Sequence, residues 1–366
     1  MAGKRRRGII RWLGRYALPV VLGVVVFCFG FNAVTAKENL DPEKAAEVKD
    51  IEGSFVTGAG VRTHYVKKGD GPETVVLIHG FGGSTYSWRK NIDYLAERFT
   101  VIAIDVRGFG FSSRDPAAEY SAKGYATHVS SFMDILGIRR PILVGHSLGG
   151  EVAMRIALQR PEDVAGLVLI NSSGLPNPER DRFREVPPIP PPFNTTLVRI
   201  AGSEGMVRRI LNESTYNTSL VDERSIKAYR DPLDVEDAEA GLLRMIRTSI
   251  PSLNKGEISR IVQPTLILWG SEDKLISVSE GQELARVIKG SRLVTYERAG
   301  HLLLEERPDE VNRQIAEFTA KVGQPLPDQP KPITPPPGGG PQPLPGTSPT
   351  PRPTASPSPG VYLPGV

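Results

Sequence analysis

Ser147 lies in the pentapeptide Gly145-His146-Ser147-Leu148-Gly149. An apolar run, Pro141-Ile142-Leu143-Val144, precedes it, and a helical pattern from Gly150 to Leu158 follows. Strand, tight turn and helix around G-x-S-x-G hold a serine hydroxyl proud of a sheet edge, where it can act as a nucleophile. So sharp a turn demands an unusual backbone at the serine. Glycines two residues to either side remove the side chains that would collide there. The chemistry this suggests is attack of the Ser147 oxygen on an electrophilic carbonyl carbon.

A serine hydroxyl is a weak nucleophile at neutral pH, so it needs a base, and the base needs an orienting acid. The chain has five histidines: His64, His79, His128, His146 and His301. His146 adjoins the serine and points its ring elsewhere. His79 falls in a glycine-rich turn. His64, in the alternating stretch from Val61 to Val66, is expected on the polar face of a strand. His128, in a helical stretch after Ser121, is expected at the surface. His301 follows the strand-like Arg292-Leu293-Val294-Thr295-Tyr296 and a short loop, and is the candidate base. The apolar run Pro264–Trp269 reads as a strand buried on both faces, and it ends in Gly270-Ser271-Glu272-Asp273. Asp273 is the candidate acid, with Glu272 as the fallback; Asp273 could equally cap a helix before Ile276. Another buried run, Thr74–Ile78, ends in His79-Gly80-Phe81-Gly82-Gly83-Ser84. The N–H groups of Phe81 and Leu148 are the candidate oxyanion-hole donors, each typically worth about 3–4 kcal/mol in such a transition state. The glycine-rich turn has neither the Lys-Ser/Thr ending of a P-loop nor dinucleotide-fingerprint spacing.

The order Ser147, Asp273, His301 and the pieces His79–Gly83, Asp105-Val106-Arg107-Gly108-Phe109-Gly110, Gly145–Gly150, Gly270–Asp273 and Gly300-His301 resemble the α/β-hydrolase superfamily across roughly residues 53–322. The resemblance implies an α/β fold: a mostly parallel eight-stranded sheet with helices on both faces and an inserted helical cap. It implies a Ser-Asp-His triad and no cofactor or metal. A serine at the elbow speaks against the branches that use an aspartate nucleophile, the haloalkane dehalogenases and epoxide hydrolases. Meta-cleavage-product hydrolases usually show Gly-Asn-Ser at the elbow and Trp after the histidine, where this chain has His146 and Leu302. The Asp105 loop is expected to anchor backbone and Arg107.

The positioning elements divide the chain. Residues 53–173 carry the first half of the hydrolase core and residues 257–322 the second. Between them the strand rhythm stops, and residues 174–256 read as a helical cap. There, Pro187–Phe193 cannot be helix interior and is expected to form a lip. Asp234–Ile250 reads as one amphipathic helix with Leu242, Leu243, Met245, Ile246 and Ile250 toward one side. The cap arginines Arg199, Arg208, Arg209, Arg244 and Arg247 are expected on a solvated face, with an acidic substrate as the sharper alternative. Residues 37–52 read as a short charged connector.

Residues 1–36 join a basic stretch (Lys4, Arg5, Arg6, Arg7, Arg11, Arg15) to an apolar run from Tyr16 to Ala36. About 20 apolar residues suffice to cross a bilayer, and the basic flank predicts a cytoplasmic N-terminus with the catalytic domain on the far side. Secretion after signal cleavage is the alternative. The net charge of +4 resides in that flank; the remainder is slightly acidic, and nothing points to nucleic acid. Cys28, the only cysteine, excludes disulfides and thiol chemistry in the catalytic part. Residues 323–366 are rich in Pro, Gly, Ser and Thr and cannot build a core, so a disordered or polyproline II tail of unknown partner is expected. The expected activity is hydrolysis of small to medium apolar carboxylic esters through an acyl-enzyme. The alternatives are carbon–carbon bond hydrolysis, cofactor-free perhydrolase or haloperoxidase chemistry, and ligand binding on a silent hydrolase scaffold.

Overall fold

The continuous apolar runs become the middle of one sheet in the computed structural model, which describes residues 24–33, 40–58, 60–115, 118–177, 190, 193–248 and 252–323. The strands are β1 (Ser54–Gly58), β2 (Val61–Lys68), β3 (Thr74–Ile78), β4 (Thr100–Ile104), β5 (Ile142–His146), β6 (Gly166–Ile170), β7 (Thr265–Gly270) and β8 (Arg292–Tyr296). Their spatial order is β1-β2-β4-β3-β5-β6-β7-β8. Only the β1–β2 and β2–β4 pairings are antiparallel. The parallel strands all point one way, so the loops leaving β3, β5, β6, β7 and β8 gather at one edge, where ligands of open α/β sheets bind.

Alternation along each strand divides the core. Ile78, Ile104 and Leu143 face one side, against Tyr125, Phe132, Val152 and Ile156. Leu77, Ala103 and Val144 face the other, against Leu95, Val311 and Ile315. Each such fully buried aliphatic side chain contributes about 1.5–3 kcal/mol. Around the sheet lie α1 (Pro42–Val48), α2 (Ile92–Ala96), α3 (Ala122–Ile135), α4 (Leu148–Gln159), and, after the cap, α9 (Lys255–Ile258), α10 (Val278–Val287), α11 (Leu303–Glu306) and α12 (Pro308–Gly323).

The cap, inserted between β6 and β7, holds α5 (Phe193–Ala201), α6 (Glu204–Ser214), α7 (Glu223–Arg230) and α8 (Ala238–Arg247). The single helix expected over 234–250 is thus shorter. A 3₁₀ turn at Asp231–Asp234 comes first, and Asp237 then adopts a left-handed φ of 58° that no helix can pass through. Ile250 lies outside the described residues, as does most of the expected lip, whose Phe193 opens α5.

The expected connector over 37–52 is instead partly built into the fold. Leu40 bridges to Val235, Lys49 pairs with Asp234 at 2.7 Å and Asp231 at 3.4 Å, and Ala45 and Ala46 of α1 pack with Phe111 and Val235. Residues 24–33 are helical. No described helix is long and apolar enough to cross a membrane. The rest of the expected anchor (1–23 and 34–36) and the tail beyond residue 323 lie outside the described residues.

Candidate active site

Ser147 sits between β5 and α4 with φ 53° and ψ −118°, a backbone that costs roughly 1–3 kcal/mol and persists only where its surroundings enforce it. Three hydrogen bonds do so: Ser147 N–H donates to Ile170 O at 3.0 Å, and Ser147 O accepts from Gly150 and Ser173 N–H at 3.0 Å each. A Cβ on Gly149 would stand 2.1 Å from Ile78 O, and one on Gly145 would stand 2.3 Å from Gly149 O. The elbow therefore closes only on glycine. The turn after β3 lies directly against it, since a Cβ on Gly80 would be 2.9 Å from that of Ser147. Among the described residues no acceptor takes the N–H of Phe81 or of Leu148.

Asp273 and His301 meet as expected. His301 Nδ1 lies 2.8 Å from Asp273 Oδ2, and both side chains are buried. Burial opposes the charge on Asp273. The hydrogen bond and charge of His301, with Ile276 N–H and Asn171, outweigh it and hold the carboxyl below its ordinary range. Asp273 Oδ1 also accepts from Leu275 and Ile276 N–H at 2.8 and 2.9 Å, so it caps this turn while facing the histidine. The Trp269 indole fixes the same loop by donating to Ile276 O at 3.1 Å. Glu272, the fallback, is exposed, its carboxylate 3.4 Å from Ser271 Oγ. The His301 ring stacks obliquely on that of His146 at 4.8 Å, which brings it beside the elbow.

The other histidines are structural. His146 donates Nε2–H to His301 O at 2.9 Å, and burial with the neighbouring His301 charge pushes it down to about 3. His79 bonds Gly80 O through Nδ1 at 2.7 Å and accepts Val106 N–H on Nε2 at 3.0 Å; burial lowers its pKa. His128 is buried rather than at the surface. It donates to Thr63 Oγ1 at 2.8 Å and accepts Arg107 N–H at 3.2 Å, and burial beside Arg107 takes it to about 3. His64 does not face solvent either. Loop 105–113 and Phe55 cover it, and its Nδ1 meets Asp105 Oδ2 at 2.8 Å. With Nε2 also engaged by Glu52 O at 3.2 Å, that second His–Asp pair has no free nitrogen for proton transfer. Asp105 anchors backbone as expected, at Thr85 and Phe111 N–H (2.6 and 2.7 Å), but not Arg107.

Sequence reasoning missed three supporting residues. Asn171, after β6 with φ 44°, donates to Asp273 Oδ2 at 2.7 Å. Glu305 is buried and takes Arg89 and Tyr229 at 2.6 Å each, tying α7 of the cap to the core. Glu306 accepts the N–H groups of Gly300, Tyr216 and Asn217 at 2.8, 2.9 and 3.0 Å, clasping the His301 loop to the cap. Each reads in sequence as a turn or surface residue; the only signal for the glutamates is their position one helical turn past His301.

The family model for the alpha/beta hydrolase fold matches residues 73–308. An uncharacterized hydrolase, YugF, of Bacillus subtilis (strain 168) is 32% identical over 260 residues, 71% of this chain and 94% of that protein. A meta-cleavage product hydrolase (CumD) superposes with a TM-score of 0.62 at 29% identity, covering 74% of this chain and 98% of that one. A membrane phospholipase A, described as a bacterial virulence factor, superposes with a TM-score of 0.61 at 26% identity, covering 84% of this chain and 99% of that one. With the strand order, the elbow and these relatives in agreement, the chain belongs to the α/β-hydrolase fold family.

Proposed function

We propose that this protein is a serine hydrolase that cleaves carboxylic esters through an acyl-enzyme. Ser147 attacks the ester carbonyl, and His301 takes its proton on Nε2 and returns it to the leaving alcohol. Asp273 holds His301 in the tautomer with hydrogen on Nδ1, and the N–H groups of Phe81 and Leu148 receive the oxyanion. Water then repeats the sequence and releases the acid. The observation that carries this reading is the buried 2.8 Å contact between His301 Nδ1 and Asp273, beside a serine held in a strained elbow. Among the described residues no protein group occupies His301 Nε2, whereas the other four histidines are committed on both sides or pushed neutral by burial. The phospholipase among the solved relatives favours an ester; the meta-cleavage product hydrolase favours a carbon–carbon bond as the second reading.

The test is fluorophosphonate labelling of the parent and of Ser147→Ala, with turnover on short and medium acyl esters and on a vinylogous 1,5-diketone. Labelling that vanishes in the variant, with repeated turnover of esters by the parent, supports the proposal. Faster turnover of the diketone favours the second reading. Labelling without turnover of either moves a ligand-binding role to the front.

The N-terminal segment is proposed to hold the enzyme at a membrane. In the helix over 24–33, Val26, Phe27 and Phe29 are each 62% exposed, a surface water does not favour. Asn32 of that helix accepts from Thr196 Oγ1 of the cap at 3.2 Å. Release of the full chain from membranes by high salt or carbonate would refute the anchor.

A further inference from the structure

Two arginines stand apart among the described residues. Arg107 Nε and Arg244 Nη1 are buried without a hydrogen-bond partner, and among the described residues neither guanidinium makes a salt bridge. All other arginines whose described side chains are not solvent-exposed donate to an acceptor. The cap arginines Arg199, Arg208 and Arg209 are among those satisfied, each by a glutamate. Both side chains are half-buried, and a guanidinium nitrogen withdrawn from water without an acceptor is unfavourable.

They are brought together by the packing of cap on core. Arg107 precedes Gly108, and Arg244 precedes Met245. A Cβ on Gly108 would stand 3.5 Å from Met245 Sδ and 2.5 Å from the Tyr120 ring. Arg114, Arg107 and Arg244 all act electrostatically on the Tyr120 hydroxyl against the rise that burial causes there, while Asp115 adds to that rise. The cluster lies one residue from the site, because Phe109 sets its ring edge-on to Phe81 of the candidate oxyanion turn, centroids 5.4 Å apart.

We infer that Arg107 and Arg244 form a subsite for an anionic group of the substrate, a carboxylate or a phosphate, carried on the part of the ester that lies under α8. The inference rests on the ester-hydrolase reading and narrows it to substrates with an acidic end. A planar guanidinium pair suits such a group, since each can donate two parallel hydrogen bonds to its oxygens.

The test uses the full chain and its Arg107→Gln/Arg244→Gln double variant. Substrates are 4-nitrophenyl hemiesters of dicarboxylic acids of increasing length, each beside the neutral 4-nitrophenyl alkanoate of equal length. The parent is expected to prefer the acid over its neutral counterpart by at least tenfold in kcat/KM at one chain length. The double variant loses that preference and keeps its rate on the neutral ester. Thermal unfolding with inorganic phosphate or glutarate gives a readout independent of turnover: both anions, or one of them, raise the Tm of the parent and not of the variant, which also identifies the group preferred. In plain buffer the variant unfolds no earlier than the parent, since the two guanidinium groups it removes have no salt bridge to lose among the described residues. A parent indifferent to the acid at every length and unmoved by either anion overturns the subsite. So does a double variant that keeps the preference. Failure of all ester turnover alongside an intact anion-induced Tm shift would instead strike the ester reading and leave the subsite standing.

Discussion

Asp273→Asn isolates the orienting acid. Asp273 Oδ1 accepts from Leu275 and Ile276 N–H, and Oδ2 faces His301 Nδ1 and Asn171 Nδ2. An asparagine has one acceptor oxygen and one NH2 group. If the oxygen stays with the two backbone N–H groups, the NH2 points at His301, whose Nδ1 can then only accept. The ring switches to the tautomer with hydrogen on Nε2, the atom that must take the Ser147 proton. Loss of the working tautomer lowers kcat by on the order of 10⁴ in such triads, about 5.4 kcal/mol at 1.36 kcal/mol per decade. Glu272→Gln touches only an exposed carboxylate and should leave kcat within about twofold, as surface changes do. The assay is steady-state hydrolysis of a 4-nitrophenyl ester at pH 8. A kcat for Asp273→Asn within tenfold of the parent, or a larger loss in Glu272→Gln, refutes the assignment. The same variant carries a pH signature in stability. The folded Asp273 carboxyl lies below its ordinary value, so its contribution is full above the unfolded value near about pH 4. It fades as pH falls through the lower folded value. The gap in unfolding free energy between parent and variant, measured in urea, should therefore close as pH falls below about 4.

Asn171→Ala removes one of two hydrogen bonds on Asp273 Oδ2 without touching the substrate; kcat should fall on the order of 10-fold with KM little changed, read by the same assay. Gly149→Ala places a methyl 2.1 Å from Ile78 O and 2.7 Å from His79 O. Because those are backbone atoms in the sheet, a loss of about 3 kcal/mol in urea unfolding is expected, along with the fluorophosphonate reactivity of Ser147. Glu306→Gln offers one carbonyl where three N–H groups now converge; limited proteolysis should then cut near residues 216–217 faster than in the parent.

The triad candidates were legible because Ser147 and Asp273 follow the buried strands β5 and β7, and His301 follows the loop after the edge strand β8. Runs such as Thr265–Gly270 reveal their ends in sequence, and the fold puts those ends side by side. What was not legible depends on which segments cover a face. Alternation put His64 on the polar face of β2, where the structure buries it. It could not reveal that Ser112 and Phe111 close over that side, turning a strand histidine into a buried partner of Asp105. His128 was misjudged for the same reason: Thr63 and the Arg107 backbone come to it from two other segments. Asn171 reads as a turn former, and its bond to Asp273 exists only because β6 and β7 are neighbours. The 37–52 segment looked like a connector because its charges carry no periodicity, yet Lys49 meets two aspartates 182 and 185 residues away.

The same contacts bear on how the cap works. Glu305 and Glu306 follow His301 on the core, and both bind the cap, one at Tyr229 and the other at Tyr216 and Asn217. Leu302 adds an apolar contact with Leu211 and Ile226 of the cap helices, and its N–H donates to Ser214 O at 3.1 Å. The base therefore sits on a loop held by the cap, and a cap that swung away whole would carry off the contacts that place His301. Elsewhere α8 meets the core through Met245, which lies against Gly108, and through Gly241, which lies against Arg114. The α6–α7 side of the cap is thus fastened to the His301 loop by satisfied carboxylates, while the α8 side is held by packing and by Arg114 donating to Pro232 O at 2.7 Å just before α8. The α6–α7 side serves as the support on which the candidate base is aligned, and the anion subsite inferred above would place substrate capture on the α8 side.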